Sequence, residues 1–301
     1  MSKVSILLST HNGDKYLQGQ LLSLFSQSCI SFNVVARDDG SSDNSKKILK
    51  SYNVEILSSD ENTGVKKSFS KLLEYALKST NSNYFMFSDQ DDVWKEDKIE
   101  KTMQKIQEME REYPDKPILI HTDLEVVDEN LQTIDKSFWH FENIDPSSNA
   151  FNKLLMQNTI TGCTVMINRK LAELTLPIPD EAIMHDWWLG LVASKFGKIA
   201  YVNEPLIKYR QHKKNSIGAK GFKIKTIVRK FFIELPMKDN LVQAQKFLNQ
   251  YRDSLDEESI TMLEDFVSIE SKSFWQKRKV LLKYGLLKQG FIRNMGLLLK
   301  I

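Results

Sequence analysis

The chain has 301 residues, of which 41% are hydrophobic, and a formal net charge of +3. This length allows one large domain or two smaller ones, the apolar share supports a real core, and the charge is too small to argue for nucleic acid as a partner. The two cysteines, Cys29 and Cys163, form no metal or redox pattern, no apolar run is long enough to cross a bilayer, and residues 1–3 lead straight into an apolar run without a secretory signal, so a cytoplasmic setting is expected.

Residues 4–9 are aliphatic and β-branched, the pattern of a buried strand. Thr10-His11-Asn12-Gly13 is a turn, and Asp14 starts a helix to about residue 28. Residues 32–36 read as a second strand, ended by Arg37-Asp38-Asp39-Gly40-Ser41-Ser42-Asp43, which is turn chemistry followed by a helix start. That helix runs to about 51, and a third strand covers 54–57. Asn62-Thr63-Gly64 opens a helix through 77, and a fourth strand begins at Tyr84. This alternation predicts an α/β fold: an open, mostly parallel, Rossmann-like sheet with helices on both faces.

Residues 95–112 form a charged amphipathic helix, 118–122 a strand, and 124–134 a hairpin around Asp128-Glu129-Asn130. After an irregular stretch, a helix is expected over 149–156, a strand over 159–167 and a helix from Asn168 toward 174. A further helix over 185–196 begins at His185-Asp186-Trp187-Trp188, and short strands follow at 199–202 and 206–210. From residue 222 the sequence turns helical, basic and amphipathic, which divides the chain into 1–220 and 221–301. Residues 272–301 carry Lys and Arg but no Asp or Glu, interleaved with Leu281, Leu282, Leu286, Phe291 and Ile292. Such a segment reads either as a membrane-surface element or as helices packed on the rest of the chain or on a second copy in a homodimer.

The chemistry concentrates at strand ends and helix starts. Tyr84-Phe85-Met86-Phe87-Ser88 runs directly into Asp89-Gln90-Asp91-Asp92, three carboxylates in a span of four residues. Acids this close repel one another unless a cation lies between them, and Mg²⁺ takes one or two protein carboxylates plus phosphate oxygens. The plain alternative is an acidic turn that caps the next helix. Thr10/Asn12, Asp38/Asp39 and His185/Asp186 are the other clusters, and the carboxyl ends of parallel strands bring such clusters to one edge. The first strand is followed by no G-x-G-x-x-G and the chain has no P-loop, so a nucleotide would be held by side chains and a metal instead.

Four segments in order resemble family 2 glycosyltransferases of the inverting GT-A class. They are Val4 to Gly13, Arg37-Asp38-Asp39-Gly40-Ser41-Ser42-Asp43, Asn62-Thr63-Gly64 and Asp89-Gln90-Asp91 followed by Asp92-Val93-Trp94. His185-Asp186-Trp187-Trp188 resembles the acidic motif of that family, with His where Glu is usual, as in a rhamnosyltransferase-like subgroup. Tyr209-Arg210-Gln211-His212, with Asn215 and Gly218, resembles the loop that closes over the donor diphosphate. The resemblance implies a GT-A domain over 1–220 and a helical region after it. It implies that Thr10, Asn12, Asp38, Asp39, Asp89 and Arg210 bind the donor nucleotide, with Lys214 a further positive charge near the diphosphate. Asp91, Asp89 and His212 would hold Mg²⁺ or Mn²⁺. Asp186 would be the general base, and Trp187 and Trp188 would line the acceptor site, although a helical Trp is more often core. The donor would be dTDP-rhamnose or a UDP-hexose. The acceptor would be a lipid-linked or protein-linked saccharide, with the chain peripheral at the inner membrane face. Two rivals are a sugar-phosphate nucleotidylyltransferase, whose first loop would want a cation that Ser9 to Gly13 lacks, and an inactive sugar-nucleotide or glycan-binding module.

Overall fold

The computed structural model describes residues 4–28, 31–212 and 237–301. The expected division at 220/221, and Cys29, Lys214, Asn215 and Gly218, lie outside the described residues. The first half is β1 (Val4–Thr10), α1 (Asp14–Phe25), β2 (Phe32–Asp39), α2 (Ser45–Lys50), β3 (Glu55–Ser59), α3 (Val65–Ser79) and β4 (Tyr84–Ser88). Strands β3, β2, β1 and β4 lie side by side and parallel, as the alternation of strand and helix requires. Side chains alternate across β1. Ile6 and Leu8 join the core cluster of Leu17, Leu21 and Ile99, whereas Leu7 joins that of Phe69, Phe85 and Phe87. Burial on both faces explains why this strand reads as a continuous apolar run.

The second half is β5 (Val93–Trp94), α4 (Lys98–Glu112), β6 (Ile118–Val127), β7 (Thr133–Asp135), α5 (Phe138–Glu142), α6 (Phe151–Leu154), β8 (Met166–Asn168), α7 (Arg169–Thr175), α8 (His185–Phe196) and β9 (Lys198–Arg210). The nine-stranded sheet has the order β3-β2-β1-β4-β8-β6-β9-β5, with β7 paired to β6. β8 is antiparallel to both β4 and β6, so the sheet is mixed beyond β4. Two expectations change. The strand expected over 159–167 is reduced to Met166–Asn168, because the Asn158 side chain bonds both the N–H and the carbonyl of Ile160 and turns the chain before a ladder forms. The two short strands expected near 200 and 208 are one strand, β9, which runs parallel to β6 with bulges around Asp123.

After the undescribed stretch come α9 (Lys238–Tyr251), α10 (Glu257–Val267), α11 (Phe274–Lys283) and α12 (Phe291–Lys300). Phe247 of α9 lies 5.0 Å from Phe151 and 5.6 Å from Trp188, ring centre to ring centre. These helices therefore share a core with the sheet rather than building their own.

Candidate active site

The register sets Thr10 beside Asp38 and Leu8 beside Ser88, so the loops after β1, β2 and β4 leave the sheet along one edge. On the β1–β2 side Asp39 is saturated. Asp39 accepts from the Arg37 guanidinium (2.8 Å) and Thr63 Oγ1 (2.9 Å) on one oxygen, and from the N–H groups of Thr63 (2.9 Å) and Gly64 (2.8 Å) on the other. A carboxylate has about four lone-pair directions, and all are used. Gly64 supplies one of those donors from φ +82°, a conformation that favours glycine. Asp39 is 2% exposed and ties the loop before α3 to β2. Asp38 is fully buried and accepts from the Ser41 N–H at 3.0 Å, which makes it a loop support. Thr10 is 1% exposed, with its hydroxyl donated to Gln90 Oε1 at 2.6 Å. Asn12 stays at the rim, half-buried at φ 47°, and accepts from the Ser42 N–H at 2.9 Å.

His11 occupies the middle of this wall. Its Nδ1 lies 2.9 Å from the Asp39 carbonyl, while Nε2 lies 3.0 Å from the Asn12 amide nitrogen and 3.1 Å from that of Asn62. Two amide donors at Nε2 require a lone pair there, so Nδ1 carries the proton and donates to the carbonyl.

On the other side the acids crowd. Burial first, then the charges of Asp91 and Asp186, push the Asp89 carboxyl up to about 7. Asp91 Oδ2 accepts from His212 Nε2 at 2.7 Å, and the His212 ring stacks on Tyr16 with centres 4.8 Å apart. Arg210 donates to the Asp91 carbonyl (2.8 Å) and the Glu129 carbonyl (2.6 Å), and its guanidinium lies 4.6 Å from the Tyr16 ring centre. At 7% exposure Arg210 braces the acidic loop against the β6–β7 turn. Asp92 is fully buried and accepts from the Arg210 N–H at 3.2 Å; α4 starts at Lys98, so Asp92 caps no helix. Burial, and then Asp91 and Asp89, hold its carboxyl well above the usual range.

Asp186 opens the first turn of α8 and is 7% exposed. Burial raises its carboxyl to about 6, against hydrogen bonds from the Trp187 and Gly162 N–H groups and the Asn158 side chain that lower it. Gly162 is required by close approach, since a Cβ there would lie 2.8 Å from His185 Nε2. His185 packs on Phe69 at 4.3 Å, and its burial keeps it neutral by moving its pKa down to about 3. Trp188 is 0% exposed and packs on Phe247, so it is core and offers no face to an acceptor. Trp187 is half-buried and donates its indole N–H to the Leu154 carbonyl at 2.6 Å.

Residues 5–174 match the profile described as glycosyl transferase family 2. The teichuronic acid biosynthesis glycosyltransferase TuaG of Bacillus subtilis (strain 168) is 30% identical over 229 residues, covering 73% of this chain and 83% of TuaG. The chain belongs to glycosyl transferase family 2. The dTDP-rhamnosyl transferase RfbG of Shigella flexneri is 26% identical over 72% of this chain and 76% of RfbG. Among solved structures, S. aureus TarS 1-349 in complex with UDP-GlcNAc is similar with a TM-score of 0.53 at 17% identity, over 94% of this chain and 80% of that one. The chain is a glycosyltransferase with the GT-A fold, a mixed, mostly parallel sheet with flanking helices and a helical C-terminal region.

In this family 2 enzyme the donor set Asp91, His212 and Asp89 suits a divalent cation. Two carboxylates and an imidazole offer hard oxygen and borderline nitrogen ligands, and the crowding that raises Asp89 is relieved by positive charge. A deeper group of Asp89, Asp92 and Cys163, with ligand atoms within 4.8 Å of one another, sits at the foot of the same loop. The sequence reading took Cys163 to be outside any such pattern, because its neighbours come from β4 and not from a second cysteine. His11, Tyr16, Gln90 and Glu129 were also passed over. Gln90 is the middle residue of Asp89-Gln90-Asp91, and its amide clasps the His11 backbone at both N–H (2.8 Å) and carbonyl (3.1 Å). An Asp-x-Asp element with an amide at its centre is the signal that pointed to it.

Proposed function

We propose that this enzyme moves a sugar from a nucleoside-diphosphate donor, dTDP-rhamnose or a UDP-hexose, to a hydroxyl of a growing bacterial surface glycan with inversion at the anomeric carbon. The observation that supports the reading is the Gly162-Cys163 pair: the Gly162 N–H bonds Asp186, and Cys163 groups with Asp89 and Asp92 with ligand atoms within 4.8 Å of one another, so the loop after β4 and the start of α8 meet. Asp186 takes the proton from the acceptor hydroxyl as that oxygen bonds to the anomeric carbon. The bond from that carbon to the diphosphate breaks on the opposite face, and the diphosphate leaves with the electron pair. A carboxyl raised to about 6 is ionised at neutral pH and is a stronger base than an ordinary carboxylate. Asp91, His212 and Asp89 are the ligands of Mg²⁺ or Mn²⁺, which offsets charge on the departing diphosphate.

Asn12, His11 and Asn62 form the polar rim offered to the base and ribose, over a floor braced by Asp38, Asp39 and Thr10. Trp187 stays on the acceptor side beside Asp186. TuaG is named for teichuronic acid biosynthesis and RfbG for dTDP-rhamnosyl transfer, and these support a cell-surface saccharide acceptor and keep the rhamnose donor in view. We place the enzyme at the inner membrane face, with residues 221–301 as its accessory region.

A thermal-shift screen of dTDP and UDP sugars with Mn²⁺ tests the reading. One donor is expected to raise the melting temperature in the presence of Mn²⁺ and not with chelator. Stabilisation by no nucleotide sugar, or equal stabilisation with chelator, would overturn it.

A further inference from the structure

The last two helices carry a surface that the transfer reaction does not use. Among the described residues, seven of the eleven large, exposed apolar side chains fall between 274 and 299, so apolar surface is concentrated there rather than scattered. Trp275 is 78% exposed, Phe291 77%, Leu299 65% and Leu282 60%. On α11, Trp275, Lys279 and Leu282 follow one helical stripe, and on α12 so do Ile292, Met295 and Leu299. A groove between the two helices is lined by Trp275, Arg278, Lys279, Leu282, Lys283 and Leu298.

The pair is held in place by bonds at its ends. Arg278 donates to the Ile301 carbonyl at 3.0 Å, joining α11 to the end of α12. Arg293 donates to the Glu142 carbonyl at 3.0 Å, and the Gln289 N–H to Gln157 Oε1 at 3.0 Å. The exposed apolar groups therefore stand on a fixed frame and are not the flank of a fraying end.

Charge selects the occupant. Residues 272–301 hold eight Lys or Arg and no Asp or Glu, in a chain whose formal net charge is only +3, so the remainder is net negative. Arg278 and Arg293 are engaged in the frame and Lys272 pairs with Asp265. A second copy would bring the basic surface of this segment against its own like charge, whereas anionic lipid meets it with the opposite sign. No helix among the described residues is long and apolar enough to cross a membrane. Aromatic and aliphatic side chains interleaved with cations on helices too short to span a bilayer match an interfacial element on anionic lipid.

We propose that α11 and α12 seat this protein on an anionic membrane surface, with Trp275, Phe291 and Leu299 entering the headgroup boundary and Lys279 and Lys283 facing the lipid phosphates. The frame connects this seat to the acceptor side. Gln157, which holds α12, is followed by Asn158, whose side chain bonds Asp186. An acceptor carried on a lipid thus reaches Asp186 from the membrane side. The proposal deepens the inner-membrane placement above but does not depend on the donor or the metal, because lipid binding is read without turnover.

Flotation of the full chain with vesicles of phosphatidylcholine, and of phosphatidylcholine with phosphatidylglycerol, tests it. Partitioning onto the anionic vesicles is expected to be at least about tenfold tighter and to weaken with salt. The triple variant Trp275→Ser, Phe291→Ser, Leu299→Ser is expected to lose about tenfold or more in partitioning with unchanged circular dichroism. Lys279→Gln and Lys283→Gln together should lose the preference for anionic lipid. Asp186→Asn should float like the parent, which separates this test from that of the reaction. Equal partitioning onto both vesicle types, no partitioning, or a triple apolar variant that floats like the parent would each overturn the proposal. So would light scattering that shows a dimer abolished by the apolar triple in a chain that ignores vesicles.

Discussion

The two walls of the candidate cleft hold their carboxylates in opposite ways. On the β1–β2 wall, Asp39 is met by Arg37, Thr63 and Gly64, and nothing further is needed to keep its charge buried. On the wall formed by the loop after β4 and the start of α8, burial raises Asp89 to about 7 and Asp186 to about 6, and the charges of Asp91 and Asp186 add to the first. The first arrangement is complete within the protein. The second would be completed by the cation and the base role proposed for it, the division expected between a scaffold and the part that does chemistry. A substitution on the first wall should therefore read out as stability, and one on the second as rate.

The largest effect is expected from Asp91→Ala, which removes a metal ligand and the partner of His212. Turnover with Mn²⁺ should fall by about a thousandfold or more while the melting temperature stays near that of the parent. Full activity in this variant would move the metal off this wall. Asp39→Ala is expected to do the reverse. It leaves the buried Arg37 guanidinium and two backbone N–H groups without their acceptor, at a cost of about 3 kcal/mol in denaturant unfolding. A variant that is fully stable but cannot bind donor would show that Asp39 acts on the ligand after all.

His212→Ala should weaken Mn²⁺ affinity by roughly 10–100-fold, as measured by the metal dependence of activity, if its imidazole is a ligand or orients Asp91. The smallest effect is on stability against pH. The Asp89 carboxyl titrates near 7 when folded and near its ordinary 3.8 when unfolded, so between those values the folded state binds more protons. Stability without metal should fall as pH rises through this window. Asp89→Asn removes the effect, and its melting temperature at pH 8 should exceed that of the parent by roughly 2–4 °C. An unchanged pH dependence would deny the crowding.

Much of the fold was legible in sequence because it depends on local pattern. The aliphatic run of β1, the aromatic run of β4 and the turn at Arg37 to Asp43 mark their own elements, and α8 spans His185–Phe196 as its pattern predicts. β8 and β9 were read less well, because a side-chain turn at Asn158 and bulges opposite Asp123 leave no periodic trace. The same limit governs the site. The motifs lie where the resemblance put them, yet whether Asp39 faces a ligand or is enclosed depends on N–H groups that lie 24 residues further along the chain. Trp187 and Trp188 are adjacent in sequence, and only the packing of α9 sends the second wholly into the core. The membrane-surface reading of residues 272–301 needed the frame as well, since composition does not say which apolar groups stay outside.

The most direct measurement is single-turnover transfer by Asp186→Asn across pH, alongside its donor affinity with Mn²⁺. The parent should gain activity as pH rises through about 6, the value set by burial of Asp186, because the base must be ionised. The variant should bind donor within about twofold of the parent and transfer about a hundredfold or more slowly, with that pH step gone. Transfer within threefold of the parent, with the step intact, would put the proton acceptor elsewhere and contradict the account.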